Sequence, residues 1–273
     1  DLSPLSSCRE LRKLELHSVV LPDLAPLGRL EKVREIDFQG STVRDFSPLS
    51  ELPSLEKVAI RSVKVAEDKW ATLGALKPVK CFQSGLTSMR TLDWVRNLPQ
   101  LESLSLFAEE VRDYSALAQA KSLKSFRADS MRSWVDVSFV RGSATLESVA
   151  LPGCSVRNLA ALGDVPSLSS LDLSELKNEC SVAFVPKLVN LRSLKLDRSR
   201  VQHFDAVKGL PSLRELSLTL LANGSSVNLK GLEACRQLET VTVSRGAFSR
   251  FEIDDVIHAC QKNVTRFSLV QRN

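Results

Sequence analysis

The chain has 273 residues, of which 43% are hydrophobic and 25% are charged, and its formal net charge is +5 at pH 7. It is long for a single globular core, and it contains no apolar run long enough to span a bilayer. Its 37 basic and 32 acidic residues are spread along the whole sequence, so the charge gives weak support at most for a polyanionic partner.

An apolar pattern, L-x-x-L-x-L, recurs from one end of the chain to the other. In its first copy, Leu11, Leu14 and Leu16, the last two residues alternate with polar ones, which predicts a short strand with two buried side chains. The first residues of the copies are 21 to 26 positions apart. The twelve copies begin at Leu11, Val33, Leu55, Leu76, Leu101, Leu123, Leu146, Leu168, Leu191, Leu213, Leu238 and Val264.

The fourth copy, Leu76, Val79 and Cys81, is the weakest match to the pattern. It begins 21 residues after the third copy and 25 before the fifth, and Pro78 falls inside its predicted strand. Proline cannot donate to a strand ladder. The sequence therefore predicts an irregular repeat at this point.

The segment after each strand repeats as well, in the form V-x-[DN]-[LFY]-x-[PA]-L. Residues 43–49 are the clearest example. A short polar side chain at the third position can cap a turn, and prolines such as Pro26 and Pro48 suit the first turn of a short helix. These segments are predicted to be short helical, 3-10 or extended stretches that face away from the strands.

Repeats of this length and pattern resemble the leucine-rich repeats of the 22-residue class, as in bacterial internalins and in the leucine-rich repeat regulatory subunit of protein phosphatase 1. The resemblance covers essentially the whole chain. It implies an α/β solenoid, a leucine-rich repeat horseshoe with about twelve short parallel strands on the concave face and short helical, 3-10 or extended segments on the convex face. Residues 1–273 are interpreted as a single leucine-rich repeat domain, a fragment of a longer protein with caps or further domains missing at both ends.

The chain departs from this class at the position three residues after the last strand leucine, where asparagine is common. No asparagine ladder is present, because that position holds Val19, Ser41, Val63, Glu109, Cys154 and Ser199. The resemblance also carries no particular function, since repeat families share a scaffold and differ in what the exposed face binds.

Catalytic and cofactor chemistry is not indicated by the sequence. The histidines His17, His203 and His258 are far apart in the repeats, and no Ser/His/Asp constellation converges. Glycine-rich phosphate loops are absent. The chain is therefore predicted not to be an enzyme and to need no cofactor or metal.

Three of the six cysteines lie at positions that the repeats fill with leucine. Cys8 and Cys235 take a column that leucine fills elsewhere, Cys81 takes the place of a strand leucine, and none has C-x-x-C spacing. We therefore expect buried free thiols and a reducing compartment, which places the protein inside the cell, in the cytoplasm. Two glycosylation sequons, at Asn223 and Asn263, favour the extracellular surface as the alternative.

The strand residues between the buried positions form columns along the predicted concave face. Phe82 and Phe107 are predicted neighbours there, in a chain with only 5% aromatic residues. Aromatic anchors with flanking arginines are typical of binding hot spots. The predicted partner-binding residues are Lys57, Arg61, Lys80, Phe82, Phe107, Arg127 and Asp129.

Two features of this face have a second interpretation. If the irregular fourth copy is distorted, Phe82 folds into the core instead. A stripe of five consecutive serines is either a smooth floor for an extended chain or helix, or a way to relieve crowding on a curved sheet. The stripe consists of Ser103, Ser125, Ser148, Ser170 and Ser193.

The sequence thus predicts a non-catalytic scaffold for protein–protein interaction that binds a partner protein or peptide on its concave face. One alternative is binding of nucleic acid or another polyanion through the basic and aromatic patch, with bases stacked on the phenylalanines. Steep salt dependence would distinguish that function. Another alternative is an extracellular recognition domain of the internalin type.

Overall fold

The computed structural model describes residues 2–219, 227–229, 232–244 and 264–270. The chain divides into two units, Asp1–Val135 and Asp136–Asn273. In the first unit, the strands are β1 (Lys13–His17), β2 (Val20–Leu21), β3 (Glu35–Gln39), β4 (Thr42–Val43), β5 (Lys57–Arg61), β6 (Cys81–Gly85), β7 (Ser103–Phe107) and β8 (Ser125–Asp129). β1, β3, β5, β6, β7 and β8 pair in that order, all in parallel, and β2 pairs with β4.

The second unit repeats this arrangement, with one strand of the main sheet in each repeat. A two-residue strand, β9 (Val135–Asp136), lies at the boundary between the units in the sequence. The strands that follow are β10 (Ser148–Ala150), β11 (Val156–Arg157), β12 (Ser170–Asp172), β13 (Cys180–Ser181), β14 (Ser193–Lys195), β15 (Val201–Gln202), β16 (Glu215–Leu218), β17 (Thr240–Ser244) and β18 (Arg266–Val270). β10, β12, β14, β16, β17 and β18 form the parallel sheet, and β13 pairs with β15.

Short 3-10 helices connect the strands, as the second half of the repeat predicts. The aspartates of the repeat support them, because the backbone amides of Ser47 and Ser115 donate to Asp45 Oδ1 and Asp113 Oδ1, each at 2.8 Å. These hydrogen bonds lower the pKa of both carboxyls. The helices are Ser3–Ser7, Ala25–Arg29, Ser47–Glu51, Glu67–Ala75, Asp93–Asn97, Ser115–Gln119, Ser138–Val140, Leu159–Asp164, Val185–Lys187, Phe204–Val207 and Leu232–Ala234.

The core of each unit lies between the sheet and the 3-10 helices. The two inner residues of each strand stack on those of the next, as Ile36 does on Val58 and Phe38 on Ile60. All four are fully buried. Burial of a side chain of this size contributes about 1.5–3 kcal/mol, so stacking between neighbouring repeats holds the fold together.

The predicted register of the fourth repeat is wrong. Cys81 pairs with Lys57 and Phe82 pairs with Val58, so the inner residues of β6 are Phe82 and Ser84. The three inward positions of the L-x-x-L-x-L pattern are therefore filled by Val79, Phe82 and Ser84 in this repeat. This copy begins 24 residues after Leu55 rather than 21. The additional residues are accommodated by the nine-residue 3-10 helix Glu67–Ala75, and Pro78 precedes the strand instead of interrupting it.

Phe82 is consequently a core residue and not an exposed one, which corrects its predicted place in the binding patch. Its exposure is 0%, and its ring centroid lies 4.6 Å from that of Trp94. The physical reason is the size of the side chain, since burying phenylalanine removes much more apolar surface from water than burying cysteine does. Of the two interpretations of this residue, the core position is the one observed.

The cysteine positions are also corrected in part. Cys81 points to the exposed face of the sheet and is half-buried, and Cys8 is exposed, so neither replaces a core leucine. Cys235 is buried, as expected, together with Cys154 and Cys180. Burial raises the pKa of the Cys180 thiol to about 12. The Cys180 thiol is therefore inert at neutral pH, because the thiolate is the reactive form.

Among the described residues, each main strand from β1 to β14 is followed by a residue with a left-handed backbone conformation. The φ of this residue lies between 50 and 67°. At most of these positions its amide donates to the carbonyl at the end of the next strand, as Leu86 N does to Phe107 O at 3.0 Å. This conformation favours glycine and small polar residues. The residues at this turn position are Ser18, Gly40, Ser62, Leu86, Ala108, Ser130, Gly153, Glu175 and Arg198.

Single hydroxyls join neighbouring repeats behind this turn, in place of an asparagine ladder. Ser41 Oγ donates to Leu16 O at 3.0 Å and accepts from the amide of Val19 at 3.3 Å. In the second unit, Ser199 Oγ makes the same two contacts, with Leu173 O and the amide of Leu176. Each serine thereby satisfies a buried backbone donor and a buried acceptor of the preceding repeat.

Candidate functional site

The predicted binding residues belong to the first unit, on the face of the β5–β8 sheet that points away from the core. We call this the exposed sheet face, and it consists of the first, third and fifth residue of each of these strands. The fifth residues form a row in the order Arg61, Gly85, Phe107 and Asp129. The predicted pair of neighbouring phenylalanines is absent from this row, because Gly85 lies where Phe82 was expected.

Five of the seven predicted residues do lie together on this face. They are Lys57, Arg61, Phe107, Arg127 and Asp129. Lys80 precedes β6 and lies beside the sheet, where it pairs with Glu56. Phe82 lies on the opposite side of β6, in the core.

Phe107 is the aromatic residue of the exposed sheet face, and 43% of it is exposed. Its neighbour Gly85 makes room for it. A Cβ atom on Gly85 would lie 3.3 Å from Phe107 Cβ and 3.5 Å from Phe107 Cδ1. The phenyl ring therefore leans over the backbone of β6, and the missing side chain at position 85 is what permits that close approach.

All four cations of the predicted patch are already paired with carboxylates. Lys57 Nζ lies 2.9 Å from Glu35 Oε1, and Lys80 Nζ lies 3.1 Å from Glu56 Oε1. The arginines make shorter contacts, 2.8 Å from Arg61 to Asp37 and 2.6 Å from Arg127 to Asp129. The patch is charge-balanced as a result, and a polyanion would have to displace these carboxylates to reach the cations.

These ion pairs could have been anticipated in part from the sequence. Parallel strands lie about 4.8 Å apart, so residues one repeat apart at the same strand position become neighbours. Glu35 precedes Lys57 by one repeat, and the two strand positions face each other in the register of β3 and β5. The pairing of Arg61 with Asp37 is harder to anticipate, because Asp37 lies diagonally across from Arg61 on the neighbouring strand.

Leu86 is an exposed apolar residue that sequence reasoning missed. It follows Gly85 at the turn position that ends β6, and 49% of it is exposed. Its backbone is joined to that of Phe107 by the 3.0 Å hydrogen bond described above. A large apolar residue at a position that elsewhere holds mostly small or polar ones was the available signal.

Glu109 is a fully buried carboxylate behind the same turn. Ser84 Oγ donates to it at 2.6 Å, Thr87 Oγ1 lies 2.8 Å from both of its oxygens, and the amide of Thr87 donates at 3.3 Å. Within the described part of the chain, no cation lies within 4.0 Å of it. Burial raises the pKa of Glu109 although these donors act against the shift.

Other kinds of site find no support in the parts of the chain that the structure describes. No group of three or more His, Cys, Asp or Glu residues there could hold a metal ion. No helix in those segments has the length and the apolar character to cross a membrane. Of the histidines, His203 contacts Ser181 Oγ through Nδ1 at 3.1 Å. The two sequons, at Asn223 and Asn263, lie outside the described residues.

Solved structures with the same architecture identify the fold. An internalin, inlF, from Listeria monocytogenes is 17% identical, with a TM-score of 0.67 over 88% of this chain and 76% of that one. The fold is that of a leucine-rich repeat protein. A leucine-rich repeat protein of Leptospira interrogans is 15% identical, with a TM-score of 0.60 over 98% of this chain and 80% of that one.

A TDR receptor is also similar, at 18% identity and a TM-score of 0.66, over 99% of this chain and 49% of the receptor. No protein-family model matches the sequence, and no curated protein matches it. At sequence identities this low, the structural likeness establishes the leucine-rich repeat fold alone. The function has to be inferred from the site itself.

Proposed function

We propose that this leucine-rich repeat chain is a non-catalytic scaffold that binds a partner protein or peptide on the exposed sheet face of its first unit. The observation that carries the proposal is Phe107, an aromatic side chain left 43% exposed on a strand and seated over Gly85. Aromatic residues provide large contact area at low entropic cost and are enriched in binding hot spots.

The charges around Phe107 support a protein partner. Arg61 with Asp37 on one side, and Arg127 with Asp129 on the other, present both signs of charge beside an apolar centre. An apolar core with a polar rim is the usual anatomy of a protein interface. Lys57 and Lys80 extend this rim on the β5 and β6 side.

Binding of nucleic acid or another polyanion is the second candidate, and the ion pairs argue against it. A polyanion gains affinity when it meets unpaired cations and releases counterions, whereas the lysines and arginines of this patch already contact carboxylates. A protein partner can accommodate such pairs as they stand. We therefore favour the protein partner.

A cytoplasmic location remains our proposal for the compartment. It is supported by Cys180, a fully buried cysteine with a free thiol. An extracellular recognition role, as the likeness to an internalin suggests, is the alternative. Glycan on Asn223 or Asn263 in protein from its native source, detected by mass spectrometry, would favour that alternative.

The test uses peptides selected for binding to the wild-type protein from a random library displayed on phage. Their dissociation constants are then measured on wild type, on Phe107→Ala and on Trp134→Ala, a control in which an aromatic residue with the same 43% exposure is removed outside the sheet. Loss of Phe107 should weaken binding about tenfold or more. The control variant should bind as wild type does.

The same proteins decide between the two candidate partners. A single-stranded oligonucleotide is titrated in parallel at 50 and 200 mM salt. If the oligonucleotide binds and its affinity falls steeply with salt, while selected peptides bind Phe107→Ala as well as wild type, then the protein-binding proposal is wrong and the polyanion function takes its place.

A further inference from the structure

Leu86 departs from the other residues at its turn position. Its φ is 56°, in the left-handed region that bulky residues rarely occupy. Among the described residues at this position, the others are serine, glycine, alanine, glutamate or arginine. Because 49% of Leu86 is exposed, its burial gives the fold little in return. Fold stability therefore does not account for a leucine here, whereas contact with a partner would.

The turn that presents Leu86 is held from behind by a polar cluster. Ser84 lies two residues before Leu86 and Thr87 directly after it, and both donate to the buried carboxylate of Glu109. Thr87 Oγ1 also accepts from the amide of Met89 at 3.3 Å. The cluster thus fixes the backbone on both sides of Leu86 through contacts to the next repeat.

The fold does not need a buried carboxylate to close this turn. At the equivalent positions of the first repeat, the chain uses Leu16, Val19 and the hydroxyl of Ser41. The second unit solves the same problem with Leu173, Leu176 and Ser199. Aliphatic side chains with one serine close the turn in both places, and they avoid the cost of burying a carboxylate without a cation.

We propose that Glu109, together with Ser84 and Thr87, is a positioning element that fixes Leu86 beside Phe107, and that these two residues form the joint apolar anchor for the partner. The occupant we infer is a peptide segment that places an apolar side chain on Leu86 and Phe107 and carries charged groups on both sides. Those groups would meet the Arg61–Asp37 and Arg127–Asp129 pairs, which present both signs of charge. This inference rests on the proposed function.

The exposed anchor is tested with the peptides selected on wild type. In Leu86→Ser, the turn residue becomes the serine that the chain uses at positions 18, 62 and 130, so folding should be preserved. Peptide affinity should fall about tenfold. Val189→Ala is the matched control, because Val189 is similarly exposed in the second unit. Unchanged affinity in Leu86→Ser would remove Leu86 from the anchor.

The positioning role is tested with a triple variant, Ser84→Leu, Thr87→Val and Glu109→Ser, which installs the arrangement found at Leu16, Val19 and Ser41. If the carboxylate positions Leu86, this variant should melt at the wild-type temperature or above, yet exchange the amide of Leu86 faster and bind the peptides about tenfold more weakly. The single variant Glu109→Gln keeps an acceptor for Ser84, so it should keep most of the wild-type affinity for the peptides.

The outcomes separate the two proposals. Peptide affinity equal to wild type in the triple variant, with loss of affinity in Phe107→Ala, would overturn the positioning role alone and leave the proposed function in place. Retained affinity in Phe107→Ala would overturn the proposed function itself. If the triple variant does not fold, Leu86→Ser decides, because unchanged peptide affinity in that variant contradicts the inference.

Discussion

The repeat that contains β6, in the first unit, and the repeat that contains β12, in the second, fill equivalent positions with opposite kinds of side chain. Behind β12 the inward positions hold Leu171, Leu173 and Leu176, all buried. Behind β6 two of the corresponding positions hold the polar residues Ser84 and Thr87.

The turn positions of the two repeats also differ. The turn after β12 exposes Glu175, whereas the turn after β6 exposes Leu86. The repeat at β6 therefore buries polar groups and exposes an apolar one, which is the reverse of what stability alone selects. Local violations of folding rules concentrate at functional sites, and in this protein they occur at β6, beside the exposed Phe107 of β7.

The largest expected difference between the two repeats is in stability. Leu171 is fully buried, so Leu171→Ala should lower the free energy of unfolding by about 2–5 kcal/mol, since it removes apolar contact and leaves a cavity. Ser84→Ala removes one hydrogen bond to a carboxylate and should cost less, about 1.5 kcal/mol. Urea denaturation followed by circular dichroism measures both. A Ser84→Ala variant as damaged as Leu171→Ala would mean that the polar cluster is a main source of stability.

The buried carboxylate should give the β6 repeat a pH dependence that the β12 repeat lacks. The folded protein binds the Glu109 proton more tightly than the unfolded chain, whose pKa is near 4.5. The resulting stabilisation is present below 4.5 and is lost as the pH rises through the raised pKa of the folded state. Glu109→Gln cannot ionise, so its free energy of unfolding should rise relative to wild type over that interval.

Urea denaturation at a series of pH values measures this difference, and Glu51→Gln provides a control at an exposed carboxyl. A constant difference in unfolding free energy between wild type and Glu109→Gln from pH 4 to pH 8 would contradict a raised pKa. A difference that changes in the opposite direction would show that the hydrogen bonds of Ser84 and Thr87 outweigh the effect of burial.

The smallest effect is expected at Gly85. A methyl group there would lie 3.3 Å from Phe107 Cβ and should push the ring aside. Gly85→Ala should therefore weaken the selected peptides about threefold and change the free energy of unfolding by less than about 1 kcal/mol. Gly28→Ala meets Glu51 Cβ at a similar 3.2 Å, away from the sheet, and serves as the control. Equal peptide affinity in both variants would mean that the position of the Phe107 ring over residue 85 does not affect binding.

The sequence by itself determined the repeat architecture. A strand in each repeat, two inward residues per strand and an aspartate-supported turn follow from the spacing of apolar and polar residues, because a strand alternates its faces with a period of two. Phe107 was placed correctly by this rule, since it directly follows the inward residue Leu106. Lys57, Arg61, Arg127 and Asp129 were placed by the same rule.

Only the tertiary structure decided the register of β6 and the character of the site. Two registers fit residues 76–84 locally, and the sequence pattern favoured the one with three apolar residues, Leu76, Val79 and Cys81. The observed register buries Phe82 against Trp94 and gives the hydroxyl of Ser84 an acceptor in Glu109, 25 residues later in the chain. Neither partner is visible in a local pattern, because packing and hydrogen bonding between repeats join residues that are distant in sequence.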